Sequence, residues 1–314
     1  MDARTSYAYA PATITNFFAA HHQRGESRDL THDGATGGGY IVSRGVITKA
    51  VVRGDHFSSV DVTVDGNQNY RAGTTRAAVR LLLESIGRSA KVSLEQRMQV
   101  PVGYGFGASA AAALSAVFAL ADALNLNLSK EAVASFAHRA EIIQQTGLGT
   151  VSAAYDGVGA GVIFEAGAPG VARFRNVEVR GDVRIVTASL SPYVKSDLLS
   201  SESSIARINK LGAEALARVM ADPTLECMAS SGEQFAQDLG LMNPQVRELA
   251  ELAKAAGALY ASQNMVGQAM HAIVPRSGVE EVVRALASSR SRPRVDVLEL
   301  GAKKAGVLAD GETG

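Results

Sequence analysis

The sequence predicts an α+β fold built as two units. Its 314 residues are 46% hydrophobic and 20% charged, enough to fill one large core or two smaller ones. β-prone runs crowd residues 6–64, helical periodicities dominate the middle of the chain, and strands alternate with helices again beyond residue 182.

Residues 6–18 are extended and β-prone, with Pro11 tolerated only at an edge or bend, and a glycine-rich loop is expected at 34–39. Strands follow at 40–42, 46–52 and 60–64. Ala78, Leu81, Leu82 and Ile86 recur at helical spacing over 74–86, ahead of Gly87 as a stop, and a strand is expected at 90–96. The most apolar segment, 108–124, carries Ser109, Ser115 and Asp122 and is shorter than the ~20 residues a membrane span needs, so it reads as a buried helix. The next helix, 130–145, has Ser129 as N-cap and Gly147 to close it. Strands at 158–164, 177–179 and 183–190 come next, and the Arg180-Gly181-Asp182 turn divides the chain into units 1–182 and 183–314. The second unit alternates helices (205–220, 224–239, 243–257, 279–288) with strands (259–262, 269–274, 295–300), and the tail from Lys303 is expected to fray.

Charge excludes several roles. Thirty-one basic residues balance 31 acidic ones, so nothing marks a nucleic-acid or membrane-surface binder, and small ligands are left as partners. Cys227 is the only cysteine, which rules out an internal disulfide and a cysteine-built metal site. Residues 1–18 lack the pattern of a signal peptide, so a cytoplasmic location is expected.

The string Pro101-Val102-Gly103-Tyr104-Gly105-Phe106-Gly107-Ala108-Ser109-Ala110 opens the apolar helix, and it is the most informative in the chain. Glycines let backbone approach an anion, while the first N–H groups and positive end of the helix point at it, so a phosphate is the natural guest. The spacing is Gly-x-Gly-x-Gly and lies far from the first strand, which disfavours a dinucleotide fold. No Gly-Lys pair exists for a Walker loop, and His138-Arg139 runs into Ala140, not the aspartate of protein kinases.

Pro101 through Ala111 resembles the second motif of the GHMP kinases, with Phe106 and Ala108 as substitutions and Ser109 kept. Ala137-His138-Arg139-Ala140-Glu141 is similar to their glutamate helix. Further strings resemble the archaeal pantoate kinases within that superfamily: Ala10 to Phe18, Gly34 to Gly39, Thr146 to Val151, Gly167 to Gly170, Lys195, Arg207 to Asn209, Phe235-Ala236 with Gly240-Leu241, and Ser262 to Gly267. The resemblance implies a GHMP kinase fold, with an N-terminal ribosomal-protein-S5-domain-2-like domain and a C-terminal ferredoxin-like α/β sandwich. It also implies ATP and Mg2+ as cofactors and pantoate as the phosphorylated alcohol in coenzyme A synthesis. A kinase of homoserine, mevalonate or a sugar would carry the same loop and glutamate, as would a silent nucleotide-binding homologue. A homodimer is left open.

Residue by residue, the resemblance implies a phosphate loop of Pro101, Gly103, Gly105, Phe106, Gly107, Ala108, Ser109 and Ala110, with Ser109 and Glu141 on the metal. Magnesium prefers such hard oxygens. Thr13, Thr15, Thr146, Gly147 and Lys195 are expected at the substrate, Lys195 neutralising its carboxylate or the moving phosphoryl group. Thr13 stands where GHMP enzymes often have lysine and pantoate kinases histidine, and Asn16 where they have glycine. Gly149 falls where related kinases have their aspartate base, so the base is unassigned, with Asp156 as a fallback. His21, His22, His32 and Asp33 read as a solvated loop, and His138 as core or support for Glu141.

Overall fold

The structure, a computed structural model, describes residues 3–21, 29–54, 57–192, 201–265, 267–309 and 312. Two long strands organise its first half: β1 (Arg4–His21) and β2 (Gly34–Gly54) pair antiparallel along nearly their whole length. β3 (Ser59–Val64), α1 (Gly73–Ser85) and β4 (Ala90–Met98) form a crossover unit in which β3 and β4 are parallel. α2 (Ala108–Ala123), α3 (Lys130–Ile143), α4 (Thr150–Asp156), β5 (Ala160–Glu165) and β6 (Arg173–Asn176) follow. The first sheet runs β11-β1-β2-β4-β3, where β11 is Gly306–Val307, and β5 joins it on the glycine-rich half of β2 and carries β6. A core of small and branched apolar side chains fills the space between this sheet and α1–α4.

β7 (Val183–Ser191), α5 (Glu202–Ala221), α6 (Leu225–Leu239), α7 (Pro244–Ala255), β8 (Tyr260–Gln263), β9 (Gln268–Pro275), α8 (Val279–Ala287) and β10 (Arg294–Leu298) build the second half. Its four antiparallel strands lie in the order β10-β7-β9-β8, the first strand flanked by the fourth and third, as in a ferredoxin-like sheet. α7 and α8 cover one face, while α5 and α6 share a core with the first sheet. Among the described residues no helix is long and apolar enough to cross a membrane.

Several local expectations change. Pro11 does not break its strand, because a bulge between Pro11 and Thr13 absorbs the missing donor and re-aims the residues after it. The glycines at 34–39 are strand, not loop: the carbonyls of Ile14 and Phe17 lie 2.3 Å from where side chains at 39 and 37 would begin, so only glycine lets β2 pass. The strand expected at 177–179 sits earlier, at β6, and Glu178 instead bridges Thr224. Residues 305–308 of the tail are tied down, since Gly306 and Val307 pair with Tyr9 and Ala8 while Ala305 and Leu308 are buried.

One buried polar group on β9 gives stability a pH dependence. His271 is fully enclosed, its Nδ1 3.0 Å from Asn264 Oδ1 and its ring edge-on to Tyr40, and burial pushes its pKa down to about 3. The unfolded chain binds its proton near the ordinary 6.5, so the contribution is present above pH 6.5 and is lost as pH falls from there toward 3. Between pH 7 and 5 this group should remove about 2 kcal/mol of unfolding free energy. Urea titrations at both values should show that increment in the parent protein and not in His271→Asn.

Candidate active site

Three glycines in left-handed conformation, Gly103, Gly105 and Gly107 (φ 89°, 79° and 60°), coil the chain into the start of α2. Gly107 is the N-cap and brings no side chain to cap the helix, so among the described residues the first N–H groups have only the loop to turn to, or a ligand. Every residue of α2 is buried except Ser109, in its first turn, and Asp122, near its end. Ser109 is thus a hydroxyl at the open end of a buried helix, and not the cap it could have been.

β1 closes one side of this end. The Thr13 amide donates to the Phe106 carbonyl at 3.0 Å, just past the Pro11 bulge. The Thr13 hydroxyl is buried, has no hydrogen-bond partner among the described residues, and lies 2.5 Å from where a side chain on Gly107 would begin. Thr15 is half-buried opposite Gly39 in the β1–β2 ladder.

The other side is built from α3 and α4. Ser129 caps α3 through the Ala132 amide as expected, but the left-handed residue that ends it is Gln145, at φ 52°, not Gly147. Gly147 serves space: a Cβ there would sit 2.0 Å from Glu141 Oε1. Glu141, in the last turn of α3 and 1% exposed, accepts the Val151 amide at 3.2 Å and the Thr150 hydroxyl, and so caps α4 from outside the helix. Burial raises its pKa to about 7 against those hydrogen bonds, which pull it down. Thr150 also places its methyl 2.6 Å from the position of a Gly107 side chain, so this one residue touches both the glutamate and the glycine loop. The sequence does not single out Thr150, although it lies within the Thr146 to Val151 string.

Thr146 is exposed, its hydroxyl 3.0 Å from that of Thr74 at the start of α1. Lys195 lies outside the described residues. Gly149 is the N-cap of α4, packed on Ala35, and brings no carboxylate. Asp156 ends α4, its carboxyl pushed up chiefly by partial burial. The histidine stretch divides: His22 lies outside the described residues, His32 is exposed beside Asp29, and His21 meets Thr36 at 2.9 Å. Asp33 departs from the solvated loop and is buried, its carbonyl 2.9 Å from His138 Nε2. Among the described residues no three His, Cys, Asp or Glu side chains gather as a metal cluster. A cavity of about 630 Å³ opens at the end of β1, lined by Ala19, Ala20, His21, Phe164, Leu216 and Met220, and includes none of the predicted site residues.

The family description "GHMP kinases N terminal domain" matches residues 73–157, which hold the glycine loop, Ser109, Glu141 and Thr150. That segment is a GHMP kinase N-terminal domain. Over 274 residues the chain is 29% identical to a pantoate kinase of Methanospirillum hungatei, covering 86% of this chain and 88% of that one. It is 27% identical over 285 residues to the pantoate kinase of Methanocaldococcus jannaschii, covering 88% and 96%. A solved structure described as a phosphotransferase related to the CoA biosynthesis pathway superposes with a TM-score of 0.85 at 24% identity, covering 97% of this chain and 98% of the other. The fold expected from the resemblance is therefore the fold observed.

The oxygen-only donors, the uncapped helix end and the orphaned Thr13 hydroxyl fit a metal-bound triphosphate. Without one, the enclosed Glu141 charge is a burden on the folded state. Its raised pKa makes stability fullest below the unfolded value of 4.5, and that increment is lost as pH rises to about 7. Relative to Glu141→Gln, the ligand-free parent should lose about 2–3 kcal/mol between pH 5 and 8, measured by denaturant unfolding. Thr150→Val keeps the methyl and removes the hydroxyl, and should weaken magnesium-dependent nucleotide binding about tenfold in calorimetry.

Proposed function

We infer that the chain transfers the γ-phosphoryl group of ATP to the 4-hydroxyl of pantoate, giving 4-phosphopantoate for coenzyme A synthesis. The observation that carries the reading is the meeting of glycine loop, Thr150 and Glu141 in a chain whose relatives over most of its length are pantoate kinases. In this reading residues 1–182 form the nucleotide-binding unit and 183–314 the second unit, and the enzyme works in the cytoplasm on two small molecules.

The loop from Pro101 to Ala110 takes the phosphates on the backbone N–H groups that follow the proline and on the positive end of α2. Ser109 and Glu141 would hold magnesium, which when bound spreads the charge of the phosphate oxygens. Thr13 and Thr15 on β1, with Thr146 and Gly147 beyond α3, flank the acceptor, and Lys195 is assigned to its carboxylate. Phosphoryl transfer through a loose transition state asks mainly for alignment and charge stabilisation. With glycine at 149 the acceptor's proton leaves to the transferred phosphoryl oxygens, and no side-chain base is required.

Purified protein with ATP, magnesium and pantoate should yield phosphopantoate by mass spectrometry, while homoserine and mevalonate yield no phosphorylated product. Turnover of homoserine or mevalonate with pantoate untouched would overturn the substrate. Ser109→Ala and Glu141→Gln should each lower kcat by about a hundredfold, roughly 2.7 kcal/mol, with circular dichroism unchanged. Parent-like rates in both would remove the metal assignment.

A further inference from the structure

The glycine loop touches a second element, the hairpin between β8 and β9 of the ferredoxin-like sheet. Asn264 there is fully buried and uses both ends of its carboxamide: Nδ2 donates to the Tyr104 carbonyl at 3.0 Å, and Oδ1 lies 3.0 Å from His271 Nδ1. Backbones press together on both sides of this bond. A side chain on Gly105 would begin 2.8 Å from Asn264 Cβ, and one on Gly267 would begin 2.3 Å from the Tyr104 carbonyl carbon.

The carboxamide has two orientations, and only one serves the loop. With Nδ2 toward Tyr104 it donates to a carbonyl, whereas reversed it would set two acceptor oxygens against each other. His271 selects between them, because a donor at Nδ1 requires Oδ1 on its side. The ring is in turn held by Tyr40, 5.2 Å away edge-on, whose hydroxyl is 3.4 Å from Asn16 Nδ2, which also donates to the Met228 carbonyl at 2.7 Å. All four side chains are at most 2% exposed. These side chains form one buried polar chain that runs from the glycine loop to the Met228 carbonyl.

We propose that Asn264 and His271 are positioning residues for the nucleotide: His271 fixes the orientation of the Asn264 carboxamide, and Asn264 fixes the Tyr104 carbonyl and so the conformation of Gly103 to Gly107. This rests on the kinase reading, in that the loop is taken to hold ATP. The second sheet thereby sets the shape of a phosphate site whose other residues belong to the first half of the chain.

Asn264→Asp keeps size and shape but puts an acceptor where the donor was. Calorimetry with magnesium and ATP, without any acceptor, should show nucleotide affinity at least tenfold weaker, and steady-state kinetics should show KM for ATP raised similarly with KM for pantoate within twofold. His271→Leu should reproduce that split, while His271→Asn, whose amide nitrogen can stand in for Nδ1, should stay within threefold of the parent. A merely structural role would lower the melting temperature and active fraction and leave KM for ATP alone. Parent-like ATP affinity in a folded Asn264→Asp would overturn the proposal, as would equal KM values in His271→Leu and His271→Asn. If the parent binds ATP but leaves pantoate untouched, the substrate reading falls and the positioning test stands on the binding data; if the parent binds no nucleotide, both fall.

Discussion

An α-helix leaves its first N–H groups without partners, and where those groups are served decides what this molecule can hold. Ser129, Ser201, Thr224 and Asn243 cap α3, α5, α6 and α7 with their own side chains. α1, α2, α4 and α8 begin on Ala72, Gly107, Gly149 and Gly278, whose own side chains supply no cap, and the first three lie close together. Contacts join those three ends. Thr74 of α1 meets Thr146, Glu141 covers α4, and Thr150 of α4 reaches Gly107 of α2. Of the three, α2 is the most deeply buried, and among the described residues no side chain caps its end. A buried dipole end left open in this way favours an anion strongly, since little water competes for it.

Glu141 is the counterpart of that open end. Its carboxylate is enclosed, yet it draws donors from Thr150 and Val151 that favour its charged form, and burial still outweighs them. A fully buried acid held partly by donors and partly against solvation is poised for a cation: metal binding supplies the missing favourable interaction and takes the proton's place. Gly147 exists to make room for it, so the glutamate's position is fixed by backbone and not by a flexible side chain above it. The contacts among Glu141, Val151, Thr150 and Gly107 are thus in place without a ligand, as a reaction governed by alignment would need.

The chemistry-bearing strings are more legible in the sequence than the elements around them. The glycine spacing, the helix after it and the acid near the end of α3 are local patterns with local physical causes, and all three fall within the segment that matches the family description. What escapes depends on close approach between distant segments. Glycines 34–39 look like a loop to any local rule, and only the carbonyls of β1 passing over them explain a strand. Gly147 looks like a helix stop because glycine usually is one there, but the left-handed turn is taken by Gln145 and the glycine answers to Glu141. Thr150 carries no pattern of its own. Its role follows from touching two groups that are far apart in sequence, and sequence order does not encode that directly.

In the kinase reading, Thr13 bears on how charge would be shared in the site. GHMP relatives often place a lysine or histidine at that position, and a cation there would share the neutralisation of phosphate with the metal. Here a neutral hydroxyl stands instead, buried and unpartnered, against Gly107. One hydroxyl can donate one hydrogen bond but supplies no net charge, so the burden shifts to the open end of α2 and to the ion that Ser109 and Glu141 would hold. That division makes loop conformation matter more than in a site with a fixed cation, because amide dipoles act only when aimed, whereas a cation's field is much less directional. A glycine-rich loop has little conformational preference of its own. The backbone contacts at Gly105 and Gly267, and the amide bond from Asn264 to Tyr104, supply the constraint that the loop's sequence lacks.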